Sequence, residues 1–200
     1  MKKFLSLLAV VLILSLIGVP KVFCFNVEGK VYYQTSEISE FLSKEPFIIM
    51  GSLSNLKKEL QDLKEFTNLP CFYDVNLLSK KKQLILIGEN YTNLLTLLLE
   101  LKGDTQINIT EEYPGKGIGV IEFLKVMANN IYGDEQFMEI LILTGSDADG
   151  TKNAINYFKK IVSGDKSLSS GLVFVDSDLE EIDVPITTIP IDYDKIKNTC

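Results

Sequence analysis

Histidine, arginine and tryptophan are absent from this 200-residue sequence. Without histidine there is no Ser-His-Asp or Cys-His nucleophile system. Histidine-based zinc sites of the H-E-x-x-H kind are excluded for the same reason. Without arginine there are no arginine fingers and no bidentate phosphate clamps. These exclusions are firm, because no rearrangement of the chain can supply a missing side chain. Cysteine is scarce, with Cys24, Cys71 and Cys200 the three present. Positive charge is scarce as well: 20 lysines face 27 acids, a net charge of −7. An acidic surface repels nucleic acid and anionic lipid, so neither is expected as a partner. Long apolar runs are limited to one, at the N-terminus, so only residues 4–19 are a candidate for contact with a bilayer core.

That run has the layout of an export signal. Met1-Lys2-Lys3 precedes an uncharged stretch from Phe4 to Val19, followed by Pro20, Lys21 and Val22-Phe23-Cys24. Val22 and Cys24 occupy the two positions where signal peptidase requires compact side chains, which places the cut after Cys24 and the mature start at Phe25. At about 1.5 Å per residue the run reaches roughly 24 Å, short of the ~30 Å hydrocarbon core. An uncleaved membrane anchor is the alternative. Lipidation at Cys24 fits less well, because bulky Phe23 stands where a small residue is needed. Residues 1–24 are thus expected to be a signal peptide and 25–200 one domain, secreted or at the cell surface. Removal of Lys2, Lys3 and Lys21 leaves 17 lysines against 27 acids, a net charge of −10. Of the cysteines only Cys71 and Cys200 survive the cut. In an oxidising compartment an even pair forms one disulfide or remains two free thiols, and spacing alone does not choose.

Three segments of the mature region share a pattern. Phe47-Ile-Ile-Met50 runs into Gly51, Leu84-Ile-Leu-Ile87 into Gly88, and Ile140-Leu-Ile-Leu-Thr144 into Gly145. Continuous apolar runs of this length mark strands buried on both faces. Each glycine is followed by polar capping residues and a helical period. Leucines at 53, 56, 60 and 63 form one helical face, with Ser52 or Ser54 as cap. Asn90 is the expected cap of a leucine-rich helix that stops at Gly103, and Ser146, Asp147 and Asp149 cap a third. The third helix presents Ala154, Ile155, Phe158, Ile161 and Val162 on one face. Repeated strand–glycine–helix units imply right-handed crossovers. The expected class is α/β: a mostly parallel, Rossmann-like sheet of four to six strands with flanking helices. Residues 105–110 alternate, with Ile107 and Ile109 on one face, and 119–127 reads as a strand. These two are expected to pair as a hairpin or to extend a sheet edge. Residues 172–175 read as a further strand, and the acidic segment 176–200, with Pro185 and Pro190, as an extended edge or a loose tail.

Motifs that carry chemistry are few. Gly145-Ser-Asp-Ala-Asp-Gly150 fails as a calcium loop, because its glycine falls early and its twelfth position is Phe158. It also lacks the Gly-Lys-Ser/Thr ending of a phosphate loop, so helix capping explains it best. Gly115-Lys-Gly-Ile-Gly119 precedes a strand, with no helix N-terminus to receive an anion, and reads as a turn. Asp176, Asp178, Glu180, Glu181 and Asp183 read as solvated charge, with weak calcium binding as the alternative. Asn90-Tyr-Thr92 and Asn108-Ile-Thr110 are N-glycosylation sequons. Neither catalytic residues nor cofactor or metal ligands are assigned.

The stretch from Tyr113 to Glu122, Tyr-Pro-Gly-Lys-Gly-Ile-Gly-Val-Ile-Glu, and the stretch from Ile140 to Phe158, with its Leu-Thr-Gly-Ser-Asp-Ala-Asp-Gly-Thr-Lys core, resemble the α/β domain of archaeal surface-layer proteins. Leu84-Ile-Leu-Ile-Gly-Glu-Asn90 is similar to another strand–glycine turn of that family. The resemblance covers residues 45–163. It implies a non-catalytic, often glycosylated protein of the archaeal cell envelope, with other envelope or surface-layer proteins as partners. Surface-layer subunits are several times longer, so an accessory or paralogous role is implied rather than the lattice subunit itself. Two rivals remain open at this level. A small-ligand binder would use the carboxyl ends of the parallel strands near Gly51, Gly88 and Gly145. A carboxylate hydrolase would need two inward-facing acids in a cleft.

Overall fold

The computed structural model describes residues 32–33, 38–51, 56–73, 82–88, 92–129 and 135–186. The expected leader with its cut at Cys24, and Ser52, Ser54, Asn90, Pro190 and Cys200, lie outside the described residues. Among the described residues the elements are β1 (Tyr32–Tyr33), α1 (Ile38–Ser43), β2 (Phe47–Met50), α2 (Lys57–Thr67), β3 (Cys71–Tyr73), β4 (Gln83–Ile87), α3 (Leu94–Lys102), β5 (Gly119–Asn129), β6 (Glu135–Gly145), α4 (Ala148–Val162), β7 (Leu172–Val175) and β8 (Glu181–Ile182). None of these helices is long and apolar enough to cross a membrane.

The class is α/β, as expected, but the sheet is mixed and larger than the four to six strands anticipated. Its order is β3-β2-β4-β6-β5-β7-β8, and β1 also pairs with β5. The half formed by β3, β2, β4 and β6 is parallel. The half formed by β6, β5, β7 and β8 is antiparallel. The apolar runs at 47–50, 84–87 and 140–144 are buried because both faces of the sheet are covered. Ile48, Met50, Ile85, Ile87, Leu141 and Leu143 point to one face, under Phe41 of α1, Leu60 and Leu63 of α2, and Ala154, Ile155 and Phe158 of α4. Ile49, Leu84, Leu86, Ile140 and Ile142 point to the other, under Leu95 and Leu99 of α3. Burying each such side chain contributes about 1.5–3 kcal/mol.

One expectation is corrected, and one of two alternatives is chosen: the acidic segment forms an extended edge. Residues 105–110 do not pair with 119–127. The hairpin is formed instead by β5 and β6, which run antiparallel from Gly119 opposite Gly145 to Asn129 opposite Glu135. The alternation of Ile107 and Ile109 has another cause: both lie on the sheet, packed with Val120 and Phe174. Their segment crosses the face as an irregular strap rather than joining the ladder. The acidic stretch after 175 begins as a tight turn, in which Asp176 Oδ1 accepts from the N–H groups of Asp178 and Glu180 at 2.9 and 3.1 Å. It continues as edge strand β8 against β7.

Candidate functional site

In open α/β sheets, ligands bind outside the carboxyl ends of the parallel strands, where the glycine turns leave a crevice. The three turns at Gly51, Gly88 and Gly145 are therefore the place to look. At the first two, Thr92 and Asn93 pack directly against the glycines. A Cβ on Gly51 would lie 1.9 Å from the carbonyl oxygen of Thr92. Gly88 has φ 114°, and a Cβ there would meet Thr92 Oγ1 at 2.7 Å.

Asn93 joins the two strands to the next helix. Its Oδ1 accepts from the N–H groups of Leu95 and Thr96 at 3.1 and 3.3 Å, which caps α3. Its Nδ2 donates to the carbonyls of Ile49 and Ile87 at 3.1 and 3.0 Å, near the carboxyl ends of β2 and β4. The residue is fully buried. Both amide hydrogens and both oxygen lone pairs are thus used within the protein. The cap is Asn93 rather than the expected Asn90. The useful signal was position: Asn93 stands immediately before Leu94-Leu95, where the apolar period begins. The N-cap of α2 is Leu56, with no side-chain hydrogen bond.

At the third turn, the two glycine-rich motifs of the sequence come together. Asp147 caps α4, accepting from Gly150 N at 2.7 Å. The same carboxylate accepts from Gly117 N, at 3.2 Å through Oδ1 and 3.1 Å through Oδ2. Ser146 Oγ donates to the Gly115 carbonyl at 2.6 Å, and Asn153 Nδ2 to that of Gly117 at 2.8 Å. The capping role assigned to Asp147 stands, and the turn at 115–119 is the object it holds. Gly145 does not adopt a positive φ. It is glycine because a Cβ would fall 2.6 Å from the Gly150 carbonyl carbon and from Thr151 N.

Beneath the strap lie acids that sequence reasoning missed. Glu122 is 2% exposed and Glu100 is 4% exposed. Glu122 Oε1 accepts from Gln106 N at 2.7 Å, and Glu100 Oε1 from Ile109 N at 3.2 Å. Burial, opposed by the Gln106 bond and reinforced by the charge of Glu100, pushes the Glu122 carboxyl up to about 8. Burial also raises Asp104, against the influence of Lys102. The signal for Glu122 was a single charge inside the apolar run of Gly-Val-Ile-Glu-Phe-Leu. A hydrolase needs its two carboxyls open to substrate, and these two are sealed under the strap.

The remaining marked residues are scattered. Among the described residues no three Cys, Asp or Glu side chains converge as a metal site would require. Glu181 ties β8 down: it accepts from Tyr157 Oη at 2.8 Å and from the hydroxyl of Ser169. Burial, and this bond to Glu181, raise the Tyr157 phenol. Cys71 is a free, half-buried thiol in β3, raised by burial. Asn108 is half-buried on the strap.

The sequence is similar to a known family and to an archaeal protein. The sequence model of a family described as "S-layer like family, outer domain" matches residues 48–162. An uncharacterised protein of Methanocaldococcus jannaschii is 42% identical over 86 residues, which make up 43% of this chain and 18% of that protein. The likeness therefore spans less than a fifth of the relative's length.

Proposed function

The chain belongs to the S-layer like family, outer domain, and from that membership we propose that it is a non-catalytic domain of the archaeal cell envelope, working by structural contact with other envelope or surface-layer proteins. The observation that carries this reading is the occupation of the strand ends. At Gly51 and Gly88 the crevice that would receive a ligand holds Thr92 and the fully bonded Asn93. At Gly145 it holds the first turn of α4. Such a sheet is a rigid scaffold, and its useful surface is its exterior. Export through residues 1–24, a surface location and glycan on Asn90 or Asn108 belong to the same proposal. An acidic exterior suits a secreted, hydrated layer and disfavours nucleic acid.

The test is fractionation of the producing cells followed by intact-mass analysis of the native protein. The expected result is recovery with the envelope or the medium, at the mass of the chain from Phe25, with or without added sugar. Recovery with the cytosolic proteins at full-length mass would overturn the proposal.

A further inference from the structure

We propose that residues 104–110 form an acid-tightened strap, latched through its backbone to β5 and α3 by two buried carboxyl groups, Glu122 and Glu100, and loosened when this pair loses a proton. The geometry is specific. The two latches come from different elements, Glu122 from the middle of β5 and Glu100 from α3. Each takes one backbone N–H of the strap, Gln106 and Ile109 respectively. The strap is not a rung of the sheet, so these bonds stand in place of a ladder. Between them, Ile107 and Ile109 cover Val120 and Phe174. The far end is pinned by Thr110 Oγ1, which accepts from Glu112 N and Tyr113 N at 3.3 and 3.0 Å. The Tyr113 ring then rests edge-on against Phe174 at 6.2 Å.

The latch is pH-sensitive because charge is scarce where it sits. The charged groups on the covering elements are Glu100 and Lys102 of α3 and Asp104 of the strap. Across the ladder, Glu122 is flanked by Ile142 and Leu172, neither of them ionisable. The influence of Glu100 on Glu122 is repulsive, and Lys102 acts on Asp104. A proton on Glu122 leaves its carbonyl oxygen free to accept from Gln106, while Glu100 remains an acceptor for Ile109. Loss of that proton places an anion in this apolar seam, beside Glu100.

The direction follows from linkage. With the strap closed, Glu122 keeps its proton until pH is about 8; exposed to water it would lose it near the ordinary 4.5. Between these values each unit of rising pH increases the open fraction by up to about tenfold, and above about 8 both states are ionised and the effect levels off. Opening uncovers Val120 and Phe174, an apolar patch of the sheet.

Native-state amide exchange by NMR from pH 5 to 9, corrected for intrinsic exchange, tests this at Gln106 and Ile109, with Ile142 reporting global unfolding. The expected result is lower protection at the two strap amides than at Ile142. That protection should fall up to about tenfold per pH unit to about pH 8, then level off. In Glu122→Gln the slope should vanish. In Glu100→Gln it should persist but level off at a lower pH, which keeps the proposal testable if the first variant folds poorly. Strap amides as protected as Ile142 at every pH, or a pH slope unchanged in both variants, would overturn it.

Discussion

Gly119 and Gly145 stand directly opposite each other across the β5–β6 ladder, and neither has room for a side chain. A Cβ on Gly119 would meet Ala154 N at 2.6 Å and the Gly150 carbonyl oxygen at 2.7 Å. Its partner is closed by Gly150 and Thr151 at the same distance. The paired glycines let the first turn of α4 settle onto the sheet. Gly150 is the reciprocal surface, with the Ile118 carbonyl oxygen 2.4 Å from where its Cβ would be.

Gly145→Ala is therefore expected to act through overlap with backbone atoms rather than through an unfavourable φ. Overpacking of a rigid contact costs about 1–3 kcal/mol, and backbone neighbours place this case toward the upper end. Urea denaturation followed by circular dichroism measures it. A midpoint equal to the parent's would show that α4 does not rest on β6 as described.

Asp147→Asn should have a smaller effect, below about 1 kcal/mol, because asparagine caps a helix about as well as aspartate. One side-chain oxygen, Oδ1, already reaches both Gly150 N and Gly117 N. Asp147→Ala loses the cap and one of the side-chain ties to the 115–119 turn, leaving those of Ser146 and Asn153, with an expected cost of about 2 kcal/mol. Thermal melting of parent and variants with millimolar calcium checks the rival reading. No calcium-dependent shift is expected; a stabilisation of the parent that disappears in Asp147→Asn would make this loop a cation site.

The buried Glu122 sets a pH dependence of global stability with a definite sign. Its carboxyl ionises near 4.5 when unfolded and at about 8 when folded. Between those values the native state binds more protons than the unfolded state, so stability falls as pH rises through the window. Below it the penalty is absent. Glu122→Gln should remove this slope and leave the variant more stable than the parent at pH 8 by about 2–4 kcal/mol. Denaturation of both proteins at pH 5 and pH 8 measures the difference; equal differences at the two pH values would mean that Glu122 is ionised in the fold.

Much of this architecture was legible in the sequence where one residue type has one physical explanation. Ile48, Ile85 and Leu141 sit in runs that only a sheet covered on both faces can bury, and Ala154, Ile155 and Phe158 mark the face of α4. The glycines at 51, 88 and 145 marked the turns, though not their reason: at Gly145 the cause is a close approach that depends on where α4 lands. The β5–β6 hairpin was hidden because β6 begins with Glu135 and Gln136, which look like loop, and because pairing is a non-local property. The strap imitated a strand, since burying every second residue against a surface gives the same alternation as a ladder. Glu122 was visible as a lone charge in an apolar run. Its proton was not, because that depends first on how completely the fold buries the carboxyl, with the charge of Glu100 adding to it.

The most direct measurement concerns Asn93, since the claim that the strand ends are filled by the protein itself rests on its four hydrogen bonds. Exchange of its side-chain amide hydrogens can be followed by NMR in the isotope-labelled protein. The expected result is exchange slowed by orders of magnitude relative to a free asparagine side chain, because both hydrogens are held by the carbonyls of Ile49 and Ile87 in a fully buried site. Exchange at the rate of a solvent-exposed amide would mean that the carboxyl ends of β2 and β4 are open to water and available to a ligand, and would contradict the scaffold reading at its base.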